Sequence, residues 1–162
     1  MACAFVGQGF FLKKYDNCFK MAACVVMFLA SFTQPMHAET KILSGPILAK
    51  TLEIVDGDTL TVRALIWLGN EVETKVRILG IDAPELKGKC PLERRKAVEA
   101  REALARLVDH QAVQLSDIRS DKYGGRVLAH VKNAKGQDLG EALKSVGLAR
   151  PYDGGKRSGW CG

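Results

Sequence analysis

Residues 92–108 carry Ala97, Ala100, Leu104, Leu107 and Val108 on one stripe at helical spacing, with Lys, Arg and Glu on the opposite face. Pro91 suits the first turn of such a helix. On both sides of this segment the hydrophobic period changes to that of strands. The chain therefore has to lodge one amphipathic helix between two groups of strands, and few folds allow this.

Before the helix, residues 51–55 are short and β-capable, and Asp56-Gly57-Asp58 is a turn signal. Thr59-Leu60-Thr61-Val62-Arg63 alternates polar and apolar, residues 64–68 continue as an apolar run, and Gly69-Asn70 marks a hairpin. Residues 71–78 alternate again, with Val72, Thr74, Val76 and Ile78 on one face and Arg77 on the other. After the helix, residues 112–118 and 127–132 are two further strands around a turn at 121–125. Asp138 is placed to cap a short helix over 139–146 that ends at Gly147. Residues 39–50 read as a linker broken by Gly45-Pro46, and 151–162 as a polar, Gly-rich tail. The order is three strands, a helix, two strands and a helix. That predicts an α+β, mainly β chain wired as a five-stranded Greek-key OB barrel. This barrel commonly binds oligonucleotides, but a fold alone does not give a function.

The first 38 residues have a different character. Lys13, Lys14 and Lys20 precede an apolar run over 21–32 and a polar stretch over 33–38. Positive region, apolar core and small-residue end are the order of a secretory signal, with cleavage expected after Ala38. The apolar run is shorter than the ~20 residues needed to span a bilayer. The expected organisation is a signal peptide over 1–38, a linker over 39–50 and a domain over 51–162, in a secreted or periplasmic protein. The whole chain has a net charge of +6. Without residues 1–38 it keeps 21 basic and 17 acidic side chains, a net +4. A basic surface suits a polyanion such as nucleic acid, although solubility explains it equally well. Of five cysteines, Cys90 and Cys161 lie outside the leader. In an exported protein an even pair points to one disulfide, with two free thiols or an intermolecular bond as the alternatives. No further Cys or His stands at the spacing of a zinc site.

Three loops hold the groups that phosphodiester cleavage uses. They are Val55-Asp56-Gly57-Asp58-Thr59, Arg77-Ile78-Leu79-Gly80-Ile81-Asp82-Ala83-Pro84-Glu85, and Asp121-Lys122-Tyr123-Gly124-Gly125-Arg126. Carboxylates supply oxygen to a hard cation. Arginine forks stabilise the charge that gathers on a phosphorane-like transition state, and a further carboxylate can position or deprotonate water. Each loop alone reads as ordinary surface turn chemistry.

Together and in this order, over residues 51–148, they resemble the thermonuclease (staphylococcal-nuclease-like) family. The resemblance implies a Ca²⁺-dependent endonuclease that cleaves DNA and RNA with little sequence preference and leaves 3′-phosphate ends. It implies Asp58, Asp82 and the backbone carbonyl of Ala83 as metal ligands, with Asp56 and Thr59 beside them. Arg77 and Arg126 match the phosphate-clamping arginines, and Glu85 matches the carboxylate on the attacking water. Lys122 and Tyr123 match nucleotide-contacting positions, and Tyr152 is a candidate stacking platform for single-stranded or denatured substrate. No stable protein partner is implied, and a monomer is expected. The chain departs from the family pattern in the extra glycine of Gly124-Gly125-Arg126, which a turn can absorb. It also stops short of a C-terminal helix found in longer relatives, and a Cys90–Cys161 bond would tie the tail to the start of the long helix. His110 is expected in an end-of-helix role and His130 in a packed or surface role, and Trp67 and Trp160 in packing. A non-catalytic OB module that binds nucleic acid is the alternative to an enzyme, and an envelope interaction protein is supported by charge alone.

Overall fold

β1 (Ile47–Ile54), β2 (Thr59–Trp67) and β3 (Asn70–Ile78) form a meander. The long helix α1 (Pro91–Val108) follows, then β5 (Ala112–Ser120), β6 (Arg126–Lys132) and the short helix α2 (Leu139–Ser145). These elements come from a computed structural model that describes residues 41–161. The expected signal peptide over 1–38 lies outside them. None of the helices among the described residues is long and apolar enough to cross a membrane.

The five strands close into a barrel in the order β1-β2-β3-β6-β5. β3 and β6 run parallel, while β1 closes the wall antiparallel to β5. This is the expected OB wiring, with α1 inserted between the third and fourth barrel strands. Alternation in the strands explains the interior. Leu60 and Val62 of β2, Val76 and Ile78 of β3, Val113 and Leu115 of β5, and Ala129 and Val131 of β6 are all buried. α1 presents small residues to the barrel, Ala97, Ala100 and Ala103, with Leu104 and Val108 at its C-terminal end. Leu139 and Leu143 of α2 join the same core. Asp138 caps α2 by accepting from the Glu141 N–H at 3.0 Å, and Gly147 follows with φ 71°, as the sequence predicts.

Two readings change. β1 begins at Ile47, not Thr51, so residues 47–50, read as linker, are barrel wall paired with β5. Of the apolar run over 64–68, only Ala64 is interior, and Leu65, Ile66, Trp67 and Leu68 are exposed. β1 pairs with β2 only as far as Ala64, and Leu65 and Trp67 pair with β3 alone. The hairpin therefore projects past the barrel, and Trp67, expected in packing, is 71% exposed.

A second, two-stranded sheet positions the site. β4 (Ile81–Asp82) pairs antiparallel with β7 (Arg150–Pro151), which fixes the start of the tail against the loop after β3. Tyr152 continues the contact by donating its backbone N–H to the Gly80 carbonyl at 3.0 Å.

The Asp56-Gly57-Asp58 turn is pressed against α1. A Cβ added at Gly57 would lie 2.6 Å from the Ala100 Cβ and 3.0 Å from the Ala83 Cβ. Neither neighbour can rotate away, so Gly57→Ala has to push the turn off the helix. The expected outcome is a loss of about 1–3 kcal/mol of stability, read from urea denaturation midpoints. An unchanged midpoint would mean that the turn and helix are not in contact.

Candidate active site

Asp58 sits where the turn enters β2 and is 2% exposed. The turn is held by the Asp56 side chain, which accepts from the Asp58 N–H at 3.0 Å. The Asp58 carboxylate accepts from the Thr59 hydroxyl at 2.9 Å and from the Ala83 backbone N–H at 3.2 Å. Arg77, from the facing end of β3, closes on both of its oxygens at 2.8 and 2.7 Å. The β2–β3 register sets Thr59 opposite Arg77, which makes this two-pronged contact geometrically available. Burial pushes the Asp58 carboxyl up to about 7 against the pull of Arg77, with Asp56 pushing the same way as burial.

Asp82 is buried on β4, and its Oδ1 is 3.8 Å from the Arg77 guanidinium. That oxygen is buried without a hydrogen-bond partner of good geometry. Its other oxygen accepts from the Trp160 indole N–H at 3.2 Å. Glu85 lies on the exposed side of the same loop.

Arg126 opens β6 immediately after Gly124 and Gly125, at φ 68° and 67°. Glycine adopts this backbone without strain, so the turn absorbs the extra residue and the β3–β6 pairing starts with Lys75 opposite Arg126. Arg126 is ion-paired with Asp121. Burial opposes that pairing, but the Arg126 guanidinium still holds the Asp121 carboxyl below its ordinary range. The guanidinium also lies 5.7 Å from the centre of the Tyr123 ring, and the Lys122 ammonium 4.9 Å from it.

A cleft of about 770 Å³ joins these parts. Arg77, Glu85, Lys122, Tyr123, Arg126 and Tyr152 all line it, within the size range of small-ligand sites. Asp58, Thr59, Asp82 and Ala83 form the buried layer at its Arg77 end. His130 also lines the cleft, a surface position, which is one of the two roles expected from sequence. His110 ends α1 in a left-handed turn, φ 53°. The Ala83 contact that is visible is its N–H on Asp58, not its carbonyl.

Two contacts of the tail, those of Arg157 and Trp160 with Asp82, escaped the sequence reading. Arg157 reaches Asp82 Oδ1 with its Nε at 2.6 Å, pairs with Glu85, and lies 3.9 Å from Asp58 Oδ2. Trp160 packs as expected, 3.6 Å below the Arg150 guanidinium and 5.5 Å from the Lys96 ammonium, yet it also donates to Asp82. The signal available in sequence was Cys161 beside Trp160. Any bond to Cys90 has to carry the tail back to the start of α1.

The oxygen donors fit a hard cation in type and direction. Asp58, Asp82 and Glu85 all converge on the Arg157 guanidinium, and Asp82 Oδ1 meets it as an ion pair rather than through a well-directed hydrogen bond. Their spacing is wider than a cage. Among the described residues, the group of three potential ligands whose atoms lie within 4.8 Å of one another is Cys90, Glu93 and Cys161. The two sulfurs of that group are at bonding distance, with Cα atoms 5.9 Å apart across a separation of 71 residues, a spacing that suits a disulfide. Replacing both cysteines by Ser is expected to lower stability by about 2–5 kcal/mol. Urea titration of wild type with and without dithiothreitol gives the same comparison. Two free thiols in the oxidised protein, read by mass analysis of non-reduced tryptic fragments, would contradict the bond.

The comparisons with known proteins agree with this geometry. "Probable endonuclease LCL3" of Leptosphaeria maculans (strain JN3 / isolate v23.1.3 / race Av1-4-5-6-7-8) is 33% identical over 90 residues. The match covers 54% of this chain and 30% of that protein, so the chain spans less than a third of its relative's length. Residues 75–158 match the family described as Staphylococcal nuclease homologue. That range holds Arg77, Asp82, Glu85, Arg126 and Arg157 and covers more than half of the chain. The chain belongs to the staphylococcal nuclease homologue family.

Proposed function

We propose that this protein is a Ca²⁺-dependent endonuclease that hydrolyses phosphodiester bonds in DNA and RNA with low sequence specificity and leaves 3′-phosphate ends. The observation that carries the reading is the cleft itself. Three carboxylates converge at its end, four arginines line it, Arg77 and Arg126 among them, and Tyr123 and Tyr152 stand on its wall. Family membership and the name of the fungal relative support a nuclease.

In this reading Asp58, Asp82 and the Ala83 carbonyl hold the cation, with Asp56 and Thr59 supporting Asp58. When bound, the cation neutralises charge on the scissile phosphate. Glu85 orients the attacking water or takes its proton. Arg77 and Arg126 donate to the phosphoryl oxygens as charge builds on them. Water oxygen bonds to phosphorus, the bond to the 5′ oxygen breaks, and that oxygen leaves as a hydroxyl. Phosphate contacts carry no sequence information, and stacking on Tyr123 and Tyr152 accepts any base, so broad specificity and a preference for single-stranded or denatured substrate follow. The positive-then-apolar order of residues 1–38 supports export to the periplasm or the medium.

Cleavage of denatured DNA by the purified protein tests this in Ca²⁺ and in excess EGTA, beside Glu85→Gln. The expected result is cutting that needs the metal and falls by about 10²–10⁴-fold in the variant. Salt-sensitive binding of single-stranded DNA without cutting would identify a binding module instead.

A further inference from the structure

Arg157 is the structural feature that the proposed chemistry does not use, and it stands at the centre of the acidic cluster. Its guanidinium reaches all three carboxylates: Asp82 at 2.6 Å, Asp58 at 3.9 Å, and Glu85. The fork is planar and carries its donors on different edges, so carboxylates gathered around it are held apart. That agrees with the absence of Asp58, Asp82 and Glu85 from any set of ligand atoms within 4.8 Å among the described residues.

The tail that delivers Arg157 is anchored on both sides. β7 is paired with β4, and the Tyr152 hydroxyl donates to the Gly155 carbonyl at 2.8 Å. Beyond Arg157, the Arg150 guanidinium holds the Gly159 carbonyl at 2.9 Å, and Trp160 is seated on Arg150 and Asp82. The tail has the built character of a device, and the group it presents is a cation.

The exposures differ in a useful way. The Asp58 and Asp82 side chains are 3% and 7% exposed, against 35% for Arg157. The two buried carboxylates have little access to water, whereas the guanidinium already reaches it in part and can snorkel outward. Buried carboxylates without a counter-charge are costly. Arg77 supplies one counter-charge from β3, and the more exposed positive charge of Arg157 is the one that a divalent cation has to replace.

We propose that Arg157 is a tethered counter-cation that competes with the divalent metal for Asp82, Asp58 and Glu85, and so sets the site's metal affinity. This rests on the metal-dependent reading of the same site. Removing the guanidinium leaves the ligands in place and takes away the competitor, so the metal binds tighter.

The test is isothermal titration of CaCl2 into chelator-stripped protein, comparing wild type with Arg157→Gln, Arg157→Lys and Lys156→Gln. Arg157→Gln is expected to bind Ca²⁺ about tenfold more tightly or better, a difference of about 1.4 kcal/mol. Arg157→Lys keeps the charge but, as a compact ammonium, cannot span three carboxylates, and is expected between the two. Lys156→Gln removes the same charge from the exposed neighbour and is expected within about twofold of wild type. Affinity unchanged or weakened in Arg157→Gln overturns the proposal and leaves the metal reading standing. If Arg157→Gln loses its cooperative urea transition, Arg157→Lys decides in the same way: tighter than wild type supports the proposal, unchanged overturns it. If no protein binds Ca²⁺ and DNA is still cut in EGTA, the metal reading falls and takes the proposal with it. If Ca²⁺ binds but no DNA is cut under any condition, the nuclease reading fails, and the affinity order still decides the role of Arg157.

Discussion

The Asp58–Arg77 pair is the contact on which the rest of the structure turns. It joins the first residue before β2 to the last turn of β3, and it is almost wholly out of water. Burying two charges is costly, and their attraction offsets that cost only when geometry and supporting hydrogen bonds are good. Here both Asp58 oxygens are met by arginine, and Thr59 and Ala83 supply the remaining donors. The pair cannot form if β2 and β3 slip by one residue, because Arg77 would then face the barrel interior. The hydrophobic alternation and the ion pair thus demand the same register.

That demand reaches outward. Ala83 can donate to Asp58 only if the loop after β3 folds back over the turn. Gly57 leaves room for Ala83 and Ala100 to close on it. The loop then lies as β4, where it meets the returning tail. A single buried carboxylate therefore connects a turn, a helix face, a loop and the C-terminal segment. The acidic end of the cleft is rigid, whereas its Arg126 end rests on a glycine turn.

What could be read from sequence was local. The strand alternation, the stripe on α1, the cap at Asp138 and the three charged loops each declare themselves within a few residues, and barrel closure brings the loops to one cleft. What could not be read depends on distant partners. Trp67 sits in an apolar run that looks like core, but β1 stops pairing with β2 at Ala64, and its remaining residues Ile47 and Leu48 pair with β5. Residues 47–50 follow a breaker, so their pairing with β5 left no clear local pattern. Arg157 and Trp160 lie in a polar tail with no periodicity. Their places follow from β7 and from Cys161, and Arg157 among the carboxylates is a contact that no short motif encodes.

The parallel pairing of β3 with β6 has a consequence for synthesis. Parallel neighbours cannot be joined by a tight turn, and here the whole of α1 and β5 lies between them. Ordering such non-local contacts requires closing long loops first, which slows folding relative to hairpin or helix formation. As the ribosome extends the chain, Asp58, Arg77, Asp82 and Glu85 emerge well before Arg126 and the tail. A partly made chain has the acidic residues but neither the closed wall nor the second half of the cleft. The topology thus delays assembly of the complete centre until β6 and the segment that carries Arg157 have been made.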